Sequence, residues 1–196
     1  AAMEAVELVG VFPVGPEQYL CALLQRSSNG RCIPVWIPMH EGSELAARLD
    51  GWAPNRPRTI DALVDTIRNA GQSVETIELS SYVDGTFMAT ATFADGSELD
   101  LRASDAITLA LELDHELVVD EHVANQASMY LSPEDAERFL GAQVSQAETA
   151  GDSQSASGDA QADADFAELM RNLGVDDLDA DDAGDADGED GTQASE

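Results

Sequence analysis

Apolar positions in residues 4–14 (EAVELVGVFPV) are dense and Val-rich, which predicts a strand that Gly15-Pro16 ends. Residues 19–25 and 31–37 predict two more strands. The turn between them, Ser27-Ser28-Asn29-Gly30, uses Asn-Gly to supply positive φ. Pro34 inside the third strand predicts an edge or a bulge. The apolar period then changes from strand-like to helix-like. Leu45, Ala46, Leu49 and Trp52 predict a helix over 40–52, which Pro54 and Pro57 separate from the next. That helix, 60–70, has Ile60, Leu63, Val64 and Ile67 on one face, with Thr59 as its expected N-cap and Gly71 as its stop.

Strands are predicted again at 73–81, 85–94 and 97–102, with hairpin turns at Asp84-Gly85 and Asp95-Gly96. A helix over 104–113, capped by Ser104, is apolar on nearly every side and should be buried. Residues 117–119 form a short strand, and Pro133 opens a last helix, 133–140. Hairpins and helices alternate without a βαβ rhythm. The expected class is therefore α+β: mixed or antiparallel sheets with a few packed helices, in a single domain over residues 3–140. A strand–strand–helix pattern occurs twice. Cys21 is expected opposite Val35 or Trp36, and Cys32 opposite Leu24. That offset is too long for a disulfide and leaves two reduced, half-buried thiols. Trp36 and Trp52 are expected in the core or an interface.

Composition changes the picture after Leu140. Residues 141–164 are mainly Gln, Ala, Ser, Gly and Asp, and 176–196 mainly Asp, Ala and Gly, so residues 141–196 are expected to be a disordered acidic tail. Inside it, Phe166, Leu169, Met170 and Leu173 share a face, which predicts a short helix at 165–173 able to dock on a protein partner. The net charge is −30 and the chain has no Lys; eight Arg against 23 Asp and Glu give residues 1–140 a net −15, and one Arg against 16 gives the tail the same. Such charge repels nucleic acid at long range, so binding DNA or RNA requires a local patch, metal ions or both. The tail is read first as a solvating brush, and second as a competitor with nucleic acid for the domain's arginines. No run approaches the roughly 18–20 apolar residues of a membrane span. No basic start with an apolar run precedes a cleavage site, and Met3 is the expected start after Ala1-Ala2, so a cytoplasmic protein is expected. Exposed edge strands and apolar helices in so small a chain predict a homo-oligomer.

Three acids sit near predicted helix starts: Glu41, Asp61 and Asp105. Any one of them can serve only its helix dipole. Together they are the candidate catalytic set, with Asp61 and Asp105 as ligands for Mg²⁺ or Mn²⁺. Arg56 and Arg58 flank Pro57, and Arg102 leads into the buried helix beside Ser104; these four are the candidate substrate contacts, the guanidinium groups suiting bidentate phosphate recognition. The alternative role for the arginines is pairing with nearby acids. His40, His115 and His122 have no metal-ligand spacing, and no organic cofactor is indicated.

The ordered set Ile33-Pro34-Val35-Trp36-Ile37 with Glu41, Arg56-Pro57-Arg58-Thr59-Ile60-Asp61, Asp84-Gly85-Thr86-Phe87 and Ser104-Asp105-Ala106-Ile107-Thr108-Leu109-Ala110-Leu111 resembles the bifunctional nuclease (DNase/RNase domain) family over roughly residues 4–130. The resemblance implies an α+β domain and cleavage of both DNA and RNA. The chain departs from that pattern at several positions. Pro38 follows Trp36-Ile37 where the family has Gly, Gly42 stands for Ala, Ile60 for His, Ala103 for Pro, and Glu112 for a basic residue. Ile60 and Glu112 motivate an alternative: a non-catalytic binding or scaffold protein on the same fold, with a regulatory or solubilising acidic tail.

Overall fold

Two three-stranded meanders and one short central strand make the sheet of this protein, seen in a computed structural model that describes residues 2–144. The first meander is β1 (Met3–Val14), β2 (Tyr19–Arg26) and β3 (Cys32–Ile37); helices α1 (Met39–Leu49) and α2 (Thr59–Asn69) follow. The second is β4 (Val74–Val83), β5 (Thr86–Phe93) and β6 (Glu98–Arg102), which runs straight into α3 (Ala103–Leu113). β7 (Leu117–Asp120) then joins the halves, antiparallel to β1 and parallel to β4. The order is β3-β2-β1-β7-β4-β5-β6, a single mixed sheet. The strand–strand–helix repeat expected from sequence is therefore a repeat of three strands and a helix.

Each meander thus ends in an outermost strand that feeds a helix. Pro34 sits on β3, an edge, where its missing N–H removes nothing from the ladder to β2. Asp84, with Gly85, makes the β4–β5 turn with positive φ at both residues, as a two-residue hairpin requires.

One face of the sheet carries the main core. Ala22, Leu24, Ile33, Val35, Ile77, Leu79, Ala89 and Ala91 pack there against Leu45 of α1, Val64 and Ile67 of α2, and Ile107 and Leu109 of α3. Gly42 lets α1 seat closely: a Cβ there would lie 2.7 Å from Leu20 Cδ1 and 3.2 Å from Ile37 Cδ1, a reason for glycine where the family pattern has alanine. The opposite face holds a smaller cluster of Leu23, Cys32, Leu131, Ala136 and Ala142. Strand β2 is therefore buried on both faces, which a two-period pattern does not describe.

Several expectations need correction. Helix α3 starts one residue early, with Arg102 as N-cap, because β6 continues into it without a loop; Ser104 is a buried first-turn residue, not the cap. Helix α2 is likewise capped at Arg58, not Thr59, and Asp61 Oδ2 accepts from the Arg58 N–H at 2.8 Å. A helix absent from the sequence reading, α4 (Glu121–Ala127), is closed by Asp120 Oδ1, which accepts from the N–H groups of His122 and Val123. The helix expected at 133–140 is one short turn, α5 (Pro133–Asp135), followed by a π-helical turn, Ala136–Leu140. Packing continues past 140, since Ala142 is buried and Val144 packs beside it. Cys21 faces Trp36 as expected, but Cys32 faces Gln25, not Leu24. Both thiols are fully buried, and burial pushes each up to about 12. The predicted helix at 165–173 and its apolar face lie outside the described residues.

Candidate active site

The first turns of α1, α2 and α3 line one cleft of about 450 Å³. β3 delivers α1 through Pro38, Pro57 precedes α2, and β6 delivers α3 directly. Glu41, Asp61 and Asp105 each occupy the third residue of their helix, so the three sequence candidates are structurally equivalent. Neither α1 nor α3 has a side-chain cap on its first N–H groups, whereas α4 and α5, away from the cleft, are capped by Asp120 and Ser132. Uncapped first turns present donors and a positive dipole end to an anion.

Of the expected residues, Glu41, Asp105, Arg58, Arg102 and Ser104 line this cleft, together with His40, Glu44, Thr59, Ile60 and Thr108. Asp61 sits apart from Asp105, in a second cluster. Arg56 is exposed and off the cleft lining, so it is not brought to the site.

Arg102 organises the mouth. Its Nη1 donates to Glu41 Oε1 at 2.8 Å, and its Nε and Nη2 donate to the two Asp105 oxygens at 2.8 and 3.0 Å. The guanidinium so ties the first turn of α1 to that of α3. Its side chain is nevertheless 60% exposed. The hydrogen bond from Arg102 holds the Glu41 carboxyl below its ordinary value. The two acids raise the guanidinium further above its own.

Arg48 organises a second cluster that sequence reading missed. It is buried, 2% exposed along its side chain, and it reaches three acids: Glu44 at 2.8 Å, Asp61 at 2.9 Å and Glu112 at 2.8 Å. Hydrogen bonding to Arg48 is the main reason that the Asp61 carboxyl is held low. Glu112, where the family pattern has a basic residue, is thus a partner of Arg48. The only local signal was the i,i+4 pair Glu44–Arg48. Trp52 lies beside two guanidinium groups of this second cluster: the Arg48 and Arg58 guanidinium carbons are 5.8 and 5.6 Å from its ring centre. It is 41% exposed, not a core residue. Arg58 also pairs with Glu44 at 3.3 Å, which leaves it at the cleft with 45% of its side chain exposed.

These contacts bear on a metal ion. Both oxygens of Asp61 accept from Arg48 and both oxygens of Asp105 accept from Arg102, so the two expected ligands belong to different clusters. Among the described residues, no group of three His, Cys, Asp or Glu side chains is placed to hold an ion. A resident Mg²⁺ or Mn²⁺ does not fit this donor set as arranged. Among the described residues, no helix is long and apolar enough to cross a membrane.

Comparison with known proteins gives a consistent picture. The profile of the bifunctional nuclease domain matches residues 22–132. Two proteins of Mycobacterium tuberculosis, from strains CDC 1551 and H37Rv and both named only as uncharacterized, are similar to this chain; each is 30% identical over 132 residues, 67% of this chain and 80% of the relative.

Proposed function

The chain belongs to the bifunctional nuclease domain family, and we propose that the cleft at its three helix starts binds and hydrolyses phosphodiester bonds of DNA and RNA. The observation that carries this reading is Arg102. It is an exposed guanidinium, beside two uncapped helix starts, and among the described residues it is held by carboxylates that a phosphate can replace. A phosphodiester offers the same fork of oxygens as Asp105 and can also accept from the first N–H groups of α1 and α3. Arg58, steadied by Trp52, faces the same space and can share the charge. When the phosphate takes Arg102, Asp105 is released beside it as the base for the attacking water. His40, on the cleft wall, can supply a proton to the leaving oxygen.

The test is cleavage of single- and double-stranded DNA and RNA by the purified full chain, with EDTA and with added Mg²⁺ or Mn²⁺. Cleavage is expected, and Arg102→Ala should lower it roughly a hundredfold, as loss of a charge-stabilising group does. No cleavage above a mock purification, or an Arg102→Ala variant as active as wild type, would sink the reading. A second reading has its own observation. Ile60 lines the cleft at the position where the family pattern has His, and Glu112 serves Arg48. On that reading the same cleft binds phosphate without cutting, and the assay returns retained substrate with no products.

A further inference from the structure

The cleft continues into a second groove. This groove, of about 540 Å³, lies between the two outermost strands, β3 and β6, and shares Arg102, Ser104 and Asp105 with the cleft. Residues from both ends of a seven-stranded sheet line it, so the sheet is coiled until its edges face one another. Its lining differs in chemistry from the cleft. Trp36, Phe87, Met88 and Leu101 supply apolar surface, and Arg102 stands at the seam.

Trp36 is the unusual member. Its neighbours Val35 and Ile37 point to the core and are 1% and 7% exposed, whereas Trp36 is 37% exposed on an edge strand. Met88 across the groove is 47% exposed. Phe87 is buried, its ring 4.4 Å from that of Tyr82. An exposed indole beside a guanidinium that holds a phosphate is the pairing by which proteins hold unpaired bases: stacking for the base, a cation for the backbone.

We propose that the groove is a nucleobase subsite, in which an unpaired base stacks on Trp36 while the adjoining phosphodiester lies on Arg102. The inference rests on the phosphodiester reading of the cleft and adds a substrate class to it: single-stranded nucleic acid, with little base preference. A base inside a duplex is already stacked on both faces and cannot reach Trp36 without leaving its helix. The net −15 of residues 1–140 gives no long-range attraction, so contact at short range has to supply the affinity. Stacking does this for any base, because every base has a π face.

The experiment uses the full chain carrying Trp52→Phe, so that Trp36 is the sole tryptophan reporter. It is titrated with a short oligothymidylate, an abasic strand of the same length, and a duplex, at low salt. Oligothymidylate should quench Trp36 and bind roughly tenfold more tightly than the abasic strand. Adding Trp36→Ala, with binding read from the anisotropy of dye-labelled strands because no tryptophan remains, should remove that tenfold and leave abasic binding alone, while Trp36→Phe, read the same way, should keep most of it. Equal binding of oligothymidylate by the Trp36→Ala protein overturns the subsite, as does a duplex that quenches equally. A dimer in light scattering that Trp36→Ala dissociates also overturns it, by assigning the groove to a second copy. Failure of the underlying cleft looks different: neither the abasic strand nor inorganic phosphate binds, or both still bind when Arg102→Ala is made. In the first of those outcomes both proposals fall.

Discussion

Arg48 and Arg102 are built from the same parts and do different work. Each lies beside the first turn of a helix, and each meets an acid at the third position of that helix: Asp61 for one, Asp105 for the other. Burial separates them. Arg48 is 2% exposed and saturated by three carboxylates; Arg102 is 60% exposed and held by two. A buried guanidinium cannot change partners without stranding charge away from water, so it acts as a brace. An exposed one exchanges partners at little cost, because solvent screens what it leaves. First-turn acids alone therefore do not mark a site in this fold. The site is where the partner arginine can leave.

The sharpest way to break this comparison is to remove both arginines in turn. Arg48→Ala leaves Glu44, Asp61 and Glu112 together around a buried void, and should cost about 3–5 kcal/mol in urea unfolding. A cost no larger than for a surface ion pair would mean that Arg48 is not a brace. Next in size is Asp61→Asn, which loses charge-assisted bonds to Arg48 and should cost about 2 kcal/mol at neutral pH. Its pH dependence has a defined sign. The folded pKa of Asp61 is lowered, so its stabilisation is present above the unfolded value of about 3.9 and is lost as pH falls through the folded value. Wild type and Asp61→Asn should therefore converge in stability on acidification; curves that stay parallel would remove Asp61 from the acid limb. Third comes Arg102→Ala, expected to shift stability by less than about 1 kcal/mol. A loss as large as that of Arg48→Ala would make the two centres equivalent and undo the contrast.

The sequence made the helices and meanders legible wherever one face was polar. Ile60, Leu63, Val64 and Ile67 gave α2 to within one residue, and Asp84-Gly85 gave its hairpin. Periodicity failed where burial is two-sided or a strand feeds a helix directly. Ser104 has the local chemistry of a cap, but the β6 ladder reaches Arg102 and leaves no loop for a cap to occupy. Helix α4 was missed although Asp120 is a strong N-cap signal, since seven residues give too short a period to recognise. At the site, Glu41, Arg102, Ser104 and Asp105 line one cleft, a convergence that their positions along the chain do not establish. The pairing of Arg48 with Glu112 did not come into view, because the two are 64 residues apart and meet through the α1–α3 packing.

The smallest expected change in stability comes from the substitution that sharpens the comparison most. Glu41→Gln combined with Asp105→Asn keeps the shape of the Arg102 contacts and removes both charges. Glu41 and Asp105 are 29% and 35% exposed along their side chains, so water screens the pairs, and unfolding should shift by no more than about 1 kcal/mol. The freed guanidinium should then bind a short oligonucleotide roughly tenfold more tightly at low salt, since each carboxylate at contact distance opposes an incoming phosphate by about 1 kcal/mol even in water. The gain should fade as ionic strength rises and the Debye length shrinks to about 10 Å and below. Cleavage should move the other way, because Asp105 is the proposed base. Tighter binding with slower cutting separates the latch from the chemistry on one side chain. Unchanged affinity would mean that the acids do not hold Arg102 back, and that exposure alone does not set the two arginines apart.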